Sequence, residues 1–308
     1  MQVPQSIWRG KIAAYLFLAG TGAGAYLAAT LQTLMGYGGT ARVGIAIAAP
    51  LVIISTFFLI ADLGQPMRFI KAFVSPQHSW ISRGTWILTG FIILGLLHIA
   101  FGIWPWPQAS QNLFALQLVA SVFAMATAIY TGILIGVLVG RPFWNNAMLP
   151  FLFLVSAIST GIGATFLASA IWFGTGMAGV AANAELHNAL VNMGRVDILL
   201  IALEALLLYF YLSVVYGRSK ESVNLLLAGS LSGLFWGAFV VVGLIVPLIL
   251  DWAAVYPSGG NLGLSLSLDA LSGISLLIGG YFLRLLILSA GLRSPIIVRV
   301  PVIVRPGN

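Results

Sequence analysis

Two carboxylates stand inside a stretch that is otherwise hydrocarbon: Asp197 and Glu204 in RVDILLIALEALLLYFYL, residues 195–212. Seven residues apart, they lie roughly 10 Å apart along a helix and within ~20° of one face. An ionised carboxylate at mid-membrane costs on the order of 3 kcal/mol or more, so this polar stripe must face a protein interior or water. It can serve proton transfer or contact with a cofactor, or it can act as a buried hydrogen-bonded anchor between helices. Arg284, in YFLRLLILSAG, lies well inside another apolar run. It needs a buried acid, a ligand oxygen or a snorkelling path to the surface. Tyr130, in AIYTGILIG, lies about ten residues inside its run, roughly 15 Å deep. That is too deep for an interfacial belt, and a buried phenol needs a partner. Tyr15 sits shallower, where interfacial tyrosines are common.

A second polar group ends another apolar run. IADLGQPMRFIKAF, residues 60–73, carries Asp62, a Gly64/Pro66 break, then Arg68 and Lys71. Cations at a helix exit meet lipid headgroups, which accounts for Lys71. Asp62, at the edge of the apolar layer, can receive a proton or pair with Arg68. His78 and Ser79 follow in SPQHSWISRGTW, where they either hold a polar ligand head or are solvated. Glu185 and His187 in ELHNAL have no third ligand nearby, so no metal site is expected. The glycines of GTGAGAY lie within a membrane helix with no preceding strand, which rules out a nucleotide loop and leaves close helix packing.

The elements that must position these groups are membrane helices. Hydrophobic residues make up 60% of the 308 and charged ones 7%, against about 25% charged in soluble domains, and the mean hydropathy is +1.05. Apolar runs and breakers predict eight spans, at 12–35, 43–61, 84–103, 112–139, 148–173, 196–216, 223–250 and 268–290. The expected fold is an all-α integral membrane protein. The chain has no cysteine, which excludes disulfides, thiol catalysis and iron–sulfur clusters held by its own side chains. Of the histidines His78, His98 and His187, His98 alone lies in an apolar run, so paired-histidine haems are not expected.

Eight spans put both termini on one side, with Arg9, Lys11, Arg68, Lys71, Arg83, Arg141, Arg218, Lys220, Arg293, Arg299 and Arg305. Arg42 and Arg195 fall on the other side. The positive-inside rule then makes the terminal side cytoplasmic, although a basic docking face gives the same asymmetry. TGAGA at 21–25 and TGIGA at 160–164 recur four spans apart. They suggest either a parallel duplication, with one four-helix unit in 1–140 and a second with the C-terminal tail in 141–308, or chance recurrence under close packing.

YLFLAGTGAGAYL, DLGQPMRF followed by SWISRGTW, YTGILIG through RPFWNNAMLPFLFLVSAISTG, VDILLIALE, GLIVPLIL and LRLLILSAG together resemble the NrfD, or polysulfide reductase membrane-subunit, family. The resemblance implies eight helices arranged as two four-helix bundles in the prokaryotic cytoplasmic membrane, holding no haem or cluster. It implies binding of menaquinone or another quinone near a face that docks a ferredoxin-like iron–sulfur subunit. That subunit would lead to a catalytic subunit, often a molybdopterin enzyme. No nucleic acid is expected. The family's implicated polar positions correspond to Tyr15, Asp62, Tyr130, Asp197, Glu204 and Arg284. Where one branch carries polar residues near the start of the first helix, this chain has Lys11 and Ile12. Many members present the docking face to the periplasm, whereas the cations here favour the cytoplasm.

The combined expectation places a quinone head near the terminal side, with Tyr130, Tyr15 and His78 as contacts and Asp62 and Arg68 beside it. Protons would pass through Asp62, Asp197, Glu204 and Arg284, possible translocation being part of the expectation. The rival expectations are a proton-coupled secondary transporter and a non-catalytic membrane anchor.

Overall fold

A computed structural model describes residues 10–62, 79–103, 113–174, 182–256 and 262–293. The described chain is almost entirely helical, because in hydrocarbon every backbone N–H and C=O must be satisfied within its own segment. The helices are α1 (Gly10–Leu34), α2 (Gly38–Asp62), α3 (Trp80–Ile103), α4 (Leu113–Gly136), α5 (Met148–Gly174), α6 (Ala182–Tyr216), a short α7 (Lys220–Leu227), α8 (Leu234–Val255) and α9 (Leu262–Ala290). Eight of them, all but α7, are long and apolar enough to cross a membrane.

Three helices depart most from the sequence expectation, and two of them matter for chemistry. Helix α6 starts at Ala182 rather than 196. The Glu185 carboxylate on this extension accepts a hydrogen bond from the Gly39 N–H at the start of α2, 3.0 Å away, and so caps an exposed helix N-terminus. The predicted span at 223–250 is interrupted after Leu227 by AGSLSG, and the spanning helix runs on to Val255. It opens as a π-helix, Leu234–Ile245, before reverting to α-helix over Val246–Val255. Helix α9 begins at Leu262 rather than 268. Asp251 and Asp269 therefore both lie inside membrane helices.

Packing follows the small residues. Helices α1 and α5 are the most enclosed and cross at the two repeated motifs, where the Thr21 hydroxyl donates to Thr160 Oγ1 at 3.2 Å. A Cβ added at Gly24 would overlap the Ala157 carbonyl, and one added at Gly161 would overlap the Gly24 backbone. Glycine is needed at this crossing because association in lipid relies on close van der Waals contact. Neighbour relations run α1–α2–α3–α4 and back to α1, and α5–α6–α8–α9 and back to α5, with α1 and α4 also against α5. In the second set Gly243 meets Gly279, and Gly163 meets Gly273.

The α4–α5 connection straps the two sets at the terminal side. Arg141 donates to the Gly291 carbonyl and stacks over the Trp144 ring, 4.6 Å from its centroid. Trp144 Nε1 donates to the Ile287 carbonyl at 2.7 Å, and the Tyr211 hydroxyl donates to the Phe143 carbonyl at 2.5 Å. Burial, with Arg293 close by, pushes the Arg141 guanidinium below its ordinary range.

Candidate functional site

Two groups of buried polar side chains stand out. The first lies toward the terminal side, between α1, α3 and α4. Tyr15 and Tyr130 are both buried, and their phenols are close enough to interact. Gly84 makes room for the second ring, since a Cβ there would overlap the ring and hydroxyl of Tyr130. The Tyr15 hydroxyl finds no hydrogen-bond partner among the described residues. A buried phenol without a partner is costly unless something supplies an acceptor or donor. Asp62 is the last residue of α2, half-buried, at the same end of the fold. His78 and Arg68 lie outside the described residues.

The second group runs through the α5, α6, α8 and α9 set. Arg284 Nη1 donates to Ser156 Oγ and to the Gly280 carbonyl, each at 2.8 Å. Glu204 lies beside both Arg284 and Ser156. The Ser156 hydroxyl, which accepts from the guanidinium, is thus within reach of the carboxylate as a donor. The rings of Phe17 and Phe153 flank the guanidinium at 5.9 and 5.4 Å. Gly20 of α1 leaves its Nη2 edge clear, an added Cβ sitting 3.1 Å away. Nε and Nη2 have no partner among the described residues.

Toward the opposite face, Asp197 lies beside Asp251 of α8 and Ser159 of α5, and Asp251 lies beside Ser272 of α9. Asp269, one step further, accepts from the Ser265 hydroxyl at 3.2 Å. All three aspartates are buried. At a rise of about 1.5 Å per residue, Asp197 is some 10 Å from Glu204 along α6, so the order is Asp269, Asp251 with Asp197, Glu204, Ser156 and Arg284. Such a ladder places proton-carrying groups in steps through the apolar layer.

Sequence reasoning singled out Tyr15, Tyr130, Asp197, Glu204 and Arg284, all of them buried here, but not the equally buried Asp251 and Asp269. The predicted spans closed at 250, just before Asp251, and opened at 268, which left Asp269 at the very edge of its span. Asp251 was detectable in LILDWAAV, where apolar residues flank an acid on both sides. The serines carried no signal, being too common in membrane helices. His98 turns out to be paired, its Nδ1 2.6 Å from the Tyr26 hydroxyl. Among the described residues no three His, Cys, Asp or Glu side chains are grouped to hold a metal ion. An apolar groove of about 510 Å³ runs along the seam of the two helix sets, lined by Phe17, Leu51, Leu167, Ile171, Tyr281 and Phe282 among others.

A family model described as "Polysulphide reductase, NrfD" matches residues 1–295. The sequence is 28% identical to the C subunit of polysulfide reductase from Wolinella succinogenes, over 92% of this protein and 94% of that one. It is 27% identical to the NrfD homolog of Haemophilus influenzae, over 94% and 95% of the two proteins. It is 28% identical to NrfD of Escherichia coli, over 79% and 84%.

Proposed function

The chain belongs to the polysulphide reductase NrfD family, and from that premise we propose that it is the quinone-interacting membrane subunit of a multi-subunit oxidoreductase in the prokaryotic inner membrane. It exchanges electrons between menaquinone or another quinone and a ferredoxin-like iron–sulfur subunit. Through that subunit the electrons connect to a catalytic subunit of the molybdopterin kind. The helices form two four-helix units, residues 1–140 and 141–308, a division supported by the two closed rings of neighbours.

The observation that carries this reading is the Tyr15–Tyr130 pair. Two buried phenols from different helices, one with an idle hydroxyl, suit a ligand that presents two carbonyl oxygens across an apolar ring. A bound quinone supplies a two-electron couple whose turnover takes up or releases two protons. The chain's own part is to hold the ring and handle those protons. Tyr130 donates a hydrogen bond to one ring oxygen, its hydroxyl fixed by the ring's seat on Gly84. Tyr15 or His78 serves the other oxygen. Asp62, with Arg68, exchanges protons with water at the terminal side. Asp197 and Glu204 form a path from the opposite face, and Arg284 ends it by holding Glu204 through charge and Ser156 through a hydrogen bond.

The rival readings receive less support. A transporter built on helices broken at mid-depth has no counterpart among the described spans, in which the α8 irregularity is a continuous π-helix. A passive anchor gives no reason to bury four carboxylates and an arginine. The test is electron paramagnetic resonance of the clusters in the natively purified complex, before and after a menaquinol analogue is added. Cluster signals that respond to quinol, and cease to respond in Tyr130→Phe, support the reading. Clusters indifferent to quinol refute it.

A further inference from the structure

The apolar groove along the seam of the two helix sets leads to a cation. Helices α1, α2, α5 and α9 all line it, through Phe17, Leu18, Leu51, Ala168, Ile171 and Tyr281 among others. Leu18 lies about 12 Å along α1 from Gly10 and Ile171 about 5 Å from the far end of α5, so the groove covers roughly 20 Å of the apolar layer. Spread over that depth, its volume of about 510 Å³ corresponds to a channel only about 5 Å wide, under half the 10–12 Å width of a helix with its side chains. Thr21 in the lining spends its hydroxyl on Thr160. The Tyr281 ring packs edge-on against Phe17, and its hydroxyl lies beside Gly10 at the terminal end of α1. The outward stripe of α1 continues from the groove to that same end through Leu18, Ala14 and Lys11. Lys11 stands seven residues from Leu18, within ~20° of its face. It is exposed and makes no ion pair among the described residues.

We propose that this groove binds an acyl chain of one anionic glycerophospholipid, whose phosphate sits at the level of Lys11 and the Tyr281 hydroxyl. A chain seated there touches four helices, whereas a lipid on a convex helix face touches one, and every added contact contributes dispersion attraction. The width excludes a partner's membrane helix. A lysine and a phenol at headgroup depth are suited to a phosphate, the one by charge and the other as a hydrogen-bond donor. Most of the chain's cations gather on the same side, which favours a net-negative headgroup over a zwitterionic one. The site is separate from the Tyr15–Tyr130 pair. Neither α3 nor α4, which supply Gly84 and Tyr130, lines the groove. Tyr15 is wholly buried, while Phe17 and Leu18 of the same helix are partly exposed. The inference therefore rests on helix packing and surface charge, not on the quinone reading. Bound in this way, the lipid ties the two helix sets together across their seam.

The experiment uses the natively purified complex, stripped of loosely held lipid by repeated detergent exchange and weighed intact by native mass spectrometry. The expected result is one phosphatidylglycerol retained per copy of this chain and lost in Ala168→Trp, whose indole fills the groove from α5. Phosphatidylglycerol added back to the stripped complex should raise its unfolding temperature saturably, and should not do so in Ala168→Trp. In Lys11→Gln, which leaves the groove intact, the preference for phosphatidylglycerol over phosphatidylethanolamine should fall about fivefold, the roughly 1 kcal/mol of one lysine near an anionic surface. This milder variant keeps the test decisive if Ala168→Trp fails to assemble. Lipid retention unchanged in Ala168→Trp, equal retention of the two phospholipids, an unchanged preference in Lys11→Gln, or an isoprenoid quinone in place of the phospholipid would each overturn the site. Quinol turnover is not the readout, so failure here would leave the Tyr15–Tyr130 assignment untouched.

Discussion

Gly84→Ala tests whether the position of the Tyr130 hydroxyl matters, without altering that hydroxyl. A Cβ at residue 84 would occupy the space of the Tyr130 ring. Non-bonded carbons settle at ≈ 3.5–4.0 Å, so the ring must retreat by roughly 1.5–2 Å or α3 must move away from α4. Overpacking of this kind costs about 1–3 kcal/mol, which a well-packed bundle survives. Displacing a positioning group by ~1 Å costs about 10²-fold in rate, or ~2.7 kcal/mol of transition-state stabilisation. The expected outcome in the assembled complex is quinol-dependent turnover reduced by about 10²-fold, with a modest drop in unfolding temperature. Gly84→Ala combined with Tyr130→Ala supplies the control. Removing the ring relieves the overlap and recovers stability, while turnover stays low because no phenol remains. Near-normal turnover in Gly84→Ala, measured with quinol analogues at saturating and limiting concentrations, would refute the claim that Tyr130 orients the ring.

Glu204→Gln should leave quinol-dependent electron transfer largely intact while lowering membrane-potential generation in proteoliposomes; unchanged potential would remove Glu204 from the proton path. Arg284→Met should destabilise by about 1.5–3 kcal/mol because it removes the charged hydrogen bonds to Ser156 and Gly280 and the positive charge felt by Glu204, and the double variant with Glu204→Gln should recover part of that loss in chemical unfolding. Gly161→Leu should prevent the α1–α5 crossing and abolish assembly, scored by native gel and by protease sensitivity of the terminal-side loops.

Single residues were legible in the sequence wherever their burial alone had to be explained. Asp197, Glu204, Arg284 and Tyr130 stood out because a charge or a deep phenol in hydrocarbon has few bland explanations. Small-residue contact was also readable, and the two recurring motifs meet at the centre of the fold. What could not be read was convergence. Whether Asp197 meets Asp251 depends on the rotational phase of α8, and nothing in LFWGAFVVVGLI announces a π-helix. Each i→i+5 turn takes up more residues than an α turn, so twelve residues of π-helix swing every later side chain to a new azimuth. An ideal α-helix drawn through 223–250 would have ended before Asp251 and pointed its last turns elsewhere. Residues whose individual cost is high can be found one at a time, but a site made by several helices depends on their relative rotation, and a single irregular turn can decide it. Inserting one residue between Ile245 and Asp251 should therefore rotate Asp251 by about 100° away from Asp197 while keeping α8 membrane-spanning. Loss, in that insertion variant, of the disulfide expected between Asp197→Cys and Asp251→Cys would show that helix phase places the aspartate. Retention of the disulfide would mean that packing against α9 fixes position 251 regardless of helix phase.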